Sequence, residues 1–124
     1  MTNPEHASLK QYVNMPELLA RIENDSELLT ELFALFHEDF PRLRDALRNA
    51  VHAGDPRQVE KAAHALKGML ASLSIEQGSA LAAKVEAAAR AGDEREIQQA
   101  MAAFDGEETG MLAAVGTFIA GGEP

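Results

Sequence analysis

His64, Lys67 and Gly68 stand three and four residues apart, the spacing that lays side chains over one another along one face of an α-helix. Winding residues 57–73 at roughly 100° per residue gathers Val59, Ala62, Leu66, Met69, Leu70 and Leu73 on one side. His64 points away from them, among Arg57, Glu60, Lys61, Lys67, Gly68 and Ala71. A neutral imidazole is a good nucleophile near pH 7, because its unperturbed pKa is about 6.5. To attack phosphorus it needs one ring nitrogen exposed, the other held by a hydrogen bond, and room for an incoming active site. Lys67 brings positive charge to phosphoryl oxygens, and Gly68 removes the side chain that would shadow the ring. A glycine inside a helix costs roughly 1 kcal/mol against alanine, and close approach by another protein is a reason to carry that cost.

Competing chemistries fit the chain less well. A carboxylate-bridged dimetal bundle needs Glu-x-x-His, with the ligands three residues apart on two helices. Glu60 and His64 are four apart, and no other histidine follows a glutamate at that distance. His6, His37 and His52 therefore read as ordinary surface or partly buried histidines. There is no Gly-x-Ser-x-Gly to hold a nucleophilic serine and no glycine loop to cradle a nucleotide phosphate, which removes autonomous ATP chemistry. No metal and no cofactor are expected.

A length of 124 residues with 46% hydrophobic content allows one domain with one core. The absence of cysteine leaves no disulfide, no thiolate nucleophile and no call for an oxidising compartment. The first ten residues are polar, without the pattern of a signal peptide, and no apolar run is long enough to span a bilayer. The expected location is the cytoplasm. A net charge of −9 argues against nucleic acid or anionic lipid as the main partner.

The elements that must position His64 read as helices throughout, with no sustained alternation of the kind strands show. Residues 1–13 are polar and read as a flexible tail, with the folded domain over residues 14–121. Asn14 can cap a short helix with Pro16 in its first turn and an apolar edge of Leu18, Leu19 and Ile22. Asp25 or Ser26 opens a long second helix with the stripe Leu28, Leu32, Leu35, Phe36, Phe40, Leu43, Leu47 and Val51, bent near His37 by Pro41. Gly54 closes it, and Asp55-Pro56 opens the histidine helix, which ends near Leu73. Ser74-Ile75-Glu76-Gln77 has the capping-box form for a fourth helix with core positions Leu81, Val85 and Ala88 or Ala89. Gly92-Asp93 repeats the stop-and-cap signal before a fifth helix carrying Ile97, Met101, Phe104, Met111, Val115 and Phe118. Gly106 and Gly110 weaken that helix and predict a break over residues 105–110. Short connections make sequential helices antiparallel, so the fold class is all-α: an up-down four-helix bundle with a short additional N-terminal helix.

The segment His64-Ala65-Leu66-Lys67-Gly68 resembles the His-x-x-Lys-Gly signature of histidine-containing phosphotransfer (HPt) domains, the middle carriers of two-component phosphorelays. The similarity extends over residues 14–120 and includes Asp39-Phe40-Pro41 and the turns Ala53-Gly54-Asp55 and Ala91-Gly92-Asp93. The resemblance implies that His64 accepts a phosphoryl group from an aspartyl phosphate on one receiver domain and passes it to another. Lys67 and Gly68 then carry over as phosphoryl-stabilising charge and steric clearance, and Glu86 as the equivalent of the Gln or Glu that steadies the other ring nitrogen. The implied partners are response-regulator receiver domains and a histidine kinase, hybrid or not. The receiver would supply the divalent metal, and the chain itself would act as a monomeric carrier without kinase or hydrolase activity. Many members have glycine where this chain has Ser74, which is expected to cap the next helix instead. Met69 and Leu70 replace residues that are more often small. The competing readings are a non-phosphorylated helical adaptor that blocks a receiver or kinase, and a bundle that binds a metal or small molecule. An adaptor would have no need of an intact His64 and Lys67.

Overall fold

Four polar residues stop the chain and restart it as helix. Asn14, Asp25, Asp55 and Asp93 each accept, through a side-chain oxygen, the backbone N–H three residues on. Each bond satisfies an amide that the first helical turn leaves without a partner. Gly54 and Gly92 adopt left-handed φ values of 68° and 69° and close the helices before the last two of these caps. The computed structural model describes residues 8–121, which form helices α1 (Met15–Arg21), α2 (Ser26–Ala53), α3 (Pro56–Ser72), α4 (Glu76–Ala91) and α5 (Glu94–Ile119). Two residues link α2 to α3, three link α3 to α4 and two link α4 to α5, so consecutive long helices run antiparallel as a four-helix bundle. The short α1 is the extra N-terminal helix. No helix among the described residues is long and apolar enough to cross a membrane.

The core is built on phenylalanines of α2 and α5. Phe33 meets Phe118 edge-on at 5.7 Å between ring centroids, Phe36 lies 5.0 Å from Phe40, and Phe40 stacks on Phe104 at 6.2 Å. α2 runs unbroken through Pro41, but its buried line is turned by one residue in the N-terminal half. Leu29, Phe33 and Phe36 are buried, whereas Leu28 and Leu35 are exposed, Leu35 by 56%. Adjacent apolar pairs (Leu28-Leu29, Leu32-Phe33, Leu35-Phe36) allow two registers, and the one that buries both aromatic rings wins on area. On α3 the same kind of shift buries Ala63 and leaves Ala62 only half-buried.

Three further expectations are corrected. Residues 8–13 pack against the bundle: Ser8 caps a 3-10 turn, Leu9–Gln11, in a capping box with Gln11, and Leu9 and Val13 are buried. An apolar pair at i and i+4 inside a polar stretch was enough to dock it. Residues 1–7, with His6, lie outside the described residues. Helix α5 has no break at Gly106 or Gly110. The side chain of Tyr12 lies against Gly110, where a Cβ would collide with its hydroxyl, and the buried flanking residues Phe104, Met111 and Val115 hold the helix together. Ser74 does not cap α4, whose N-cap is Ile75 without a side-chain bond. It sits instead at φ 56°, the left-handed conformation that glycine adopts at least cost, and donates its hydroxyl to Glu17 at 3.1 Å. On the far side of the bundle Glu108 of α5, buried, accepts from Arg44 at 2.6 Å and Arg48 at 2.8 Å of α2, which ties those two helices in one register.

Candidate functional site

Val59, Ala63, Leu66 and Leu70 bury the inner face of α3 completely or almost so. That fixes the rotation of the helix and leaves Arg57, Lys61, His64 and Gly68 on its outer face, all exposed, with Lys67 half-buried. Small buried residues, Ala63 on α3 with Gly78, Ala82 and Ala89 on α4, bring the two helices close. Gly78 packs directly on Leu70, where an added Cβ would lie 3.4 Å from that side chain. The close approach turns Glu86 of α4 toward the outer face of α3 with its side chain only 7% exposed.

One carboxylate then serves two residues a helical turn apart. Glu86 Oε2 lies 2.6 Å from His64 Nδ1, and Oε1 lies 2.6 Å from Lys67 Nζ. The hydrogen bond from Lys67 is the largest cause holding the Glu86 carboxyl below the usual carboxylate range; burial opposes it and the bond with His64 adds to it. An ionised carboxylate can only accept, so Nδ1 carries the ring hydrogen and Nε2 of the neutral imidazole keeps its lone pair. The His64 side chain is 68% exposed, and no atom outside its own helix turn lies within 4 Å of where a Cβ at Gly68 would stand. The structure therefore brings His64, Lys67, Gly68 and Glu86 to one place.

Two more residues complete the cluster that sequence reasoning did not connect. Arg90 donates through Nε to Glu60 Oε2 at 2.9 Å, and its guanidinium stands 3.5 Å from Glu86 Oε2. The available signal was spacing: Arg90 follows Glu86 by four residues and Glu60 precedes His64 by four, so each pair shares a helix face. His37 and His52 lie on α2, and neither lines the depression at His64. Among the described residues no group of three or more His, Asp or Glu side chains is placed to hold a metal ion.

Chemically, this arrangement suits nucleophilic attack by Nε2. As Nε2 forms a bond, positive charge grows on the ring, and the carboxylate on Nδ1–H is placed to stabilise it, the same logic by which an aspartate orients the histidine of a hydrolytic triad. Comparison with curated proteins and with solved structures finds no match. The family model of the Hpt domain matches residues 31–116, a span that contains α3 and α4 entire and all four residues of the site. Matched over most of its length, the chain belongs to the Hpt domain family, whose members serve histidine phosphotransfer in two-component systems.

Proposed function

We propose that His64 is the phosphoacceptor of a phosphorelay carrier, receiving the phosphoryl group from one receiver domain and delivering it to another. The lone pair of Nε2 attacks the phosphorus of a receiver's aspartyl phosphate. The bond from phosphorus to the aspartyl oxygen breaks, the carboxylate leaves on the receiver, and the group rests on Nε2 while Nδ1 keeps its proton. The imidazolium so formed is paired with Glu86, 2.6 Å away. Attack by a second receiver's aspartate on the same phosphorus reverses these events and returns the neutral ring. Lys67 supplies charge for the phosphoryl oxygens, and Gly68 leaves the surface clear for the receiver. The observation that supports this reading best is the Nδ1–Glu86 hydrogen bond, which leaves the nucleophilic nitrogen free on an exposed ring.

The test is incubation with a panel of phosphorylated receiver domains. Label should move to the chain as an acid-labile, base-stable phosphoramidate, and His64→Gln should abolish transfer while helicity and melting stay unchanged. Label that persists in His64→Gln refutes the assignment. With ATP and magnesium alone the chain should remain unlabelled.

A further inference from the structure

We infer that the rim of α3 beside His64 is a cationic steering surface for an acidic receiver face, with Arg57 and Lys61 as the residues that confer it. The inference rests on the carrier reading above and names the chemistry of the partner. Arg57, Lys61, His64 and Gly68 follow one another at steps of four, three and four residues, a single exposed line along α3. The open depression at His64 is lined by four cations, Arg57, Lys61, Lys67 and Arg90, against two carboxylates, Glu60 and Glu86. Both carboxylates are already engaged, Glu86 by Lys67 and His64, Glu60 by Arg90. Arg57 and Lys61 are exposed and make no ion pair within 4.0 Å with any of the described residues.

Two features set this patch apart from its surroundings. The chain as a whole carries −9, so an uncompensated positive area is a local reversal of the general field. Arg57 also stands in the first turn of α3, where the helix dipole disfavours a cation, and α3 has no acidic residue there. The other four helices all place a glutamate in the first turn. A partner that fits must be negative around its reacting aspartate, as a face bearing a phosphorylated carboxylate is. Charges on the rim of such an encounter act mainly on the rate of association and are screened by salt.

The experiment compares the wild type with Arg57→Glu/Lys61→Glu, using the receiver that transfers fastest in the panel, from about 20 to about 500 mM potassium chloride. The second-order transfer rate of the wild type should fall on the order of tenfold or more across that range. The doubly reversed variant should be slower by a similar factor at low salt and should converge on the wild type at high salt, with the rate at saturating receiver within about twofold. A variant as fast as the wild type at low salt overturns the inference, as does a loss that persists at high salt or at saturation. Arg57→Gln/Lys61→Gln should show about half of the effect on a logarithmic scale, and it replaces the reversed pair if that pair melts early. Direct binding of every receiver in the panel to His64→Gln, whether or not it transfers, separates the two readings. Salt-sensitive binding that needs Arg57 and Lys61, with no transfer to the wild type, upholds the surface and refutes the carrier. Transfer indifferent to both residues refutes the surface and leaves the carrier standing.

Discussion

Replacing Glu86 with alanine removes the acceptor of both His64 Nδ1–H and Lys67 Nζ, while leaving the nucleophile itself in place. A hydrogen bond to a charged partner is worth about 1.5–3 kcal/mol. In the proposed transfer the ring becomes cationic, so most of that value belongs to the transition state and not to the resting ring. At about 1.4 kcal/mol per factor of ten, Glu86→Ala should transfer roughly 10- to 100-fold more slowly. The fold should tolerate the change. Glu86 is buried at a desolvation cost that alanine does not carry, and the partners left behind, His64 and Lys67, both reach water. Glu86→Gln keeps an oxygen for Nδ1–H but loses the charge, and should fall between the two, within about tenfold of wild type. Rapid-quench measurement of single-turnover transfer, beside melting curves, reads both quantities. Wild-type transfer by a folded Glu86→Ala would refute the claim that this carboxylate holds the ring. A stability loss above about 3 kcal/mol would instead make Glu86 a packing residue.

The same carboxylate gives a pH dependence with a defined sign. Lys67, against the opposing effect of burial, holds the Glu86 carboxyl below its ordinary value. A group whose pKa is lowered on folding contributes stability that is fully present above the unfolded pKa and is lost as pH falls through the folded one. The stability difference between wild type and Glu86→Gln should therefore be largest near neutrality and narrow as pH drops below about 4, the ordinary carboxylate range. A difference that stays constant into acid would show that the ionised form gains nothing here.

Two other positions test separate steps of the argument. Gly68 faces open space, so Gly68→Ala should stabilise the protein by up to about 1 kcal/mol, whereas Gly68→Gln should fold but transfer on the order of tenfold more slowly, because its side chain takes the room over the imidazole; unchanged transfer in Gly68→Gln would mean that clearance plays no part. Ser74 holds a left-handed φ of 56° and bonds to Glu17, so Ser74→Ala should lose the bond and keep the strain, while Ser74→Gly loses the bond but relieves about 1–2 kcal/mol; chemical denaturation should find the glycine variant the more stable of the two, and the reverse order would remove the strain argument.

What was legible in the sequence follows the range of the interactions. The exposed line of His64 and Gly68 needs only the helical repeat and the apolar residues opposite, and both are local. The caps at Asp25, Asp55 and Asp93 are local as well. Register on α2 was not, because paired apolar residues leave two faces open and only Phe118 and Phe104, from another helix, select one. Ser74 misled for a related reason: its hydroxyl looks like a cap in sequence, but Glu17 of α1 claims it in space. Glu86 came from resemblance, since nothing near it in the chain says that α4 will bring it within 2.6 Å of both His64 and Lys67.

That long-range placement carries a consequence for the proposed transfer. Because one carboxylate holds both residues, one oxygen each, the two hydrogen bonds are not independent. A phosphoryl group arriving at Nε2 offers Lys67 a competing anion, and an ammonium that shares its three N–H donors between that group and Oε1 holds the carboxylate less strongly. The negative charge thereby released on Glu86 becomes available to Nδ1–H at the moment the ring turns cationic. Lys67 and Glu86 would then act as a unit, so the loss in Lys67→Ala/Glu86→Ala should be smaller than the product of the two single losses. Strictly multiplicative losses would show that the shared carboxylate is a coincidence of packing and that the lysine and the glutamate act on the phosphoryl group and the ring separately.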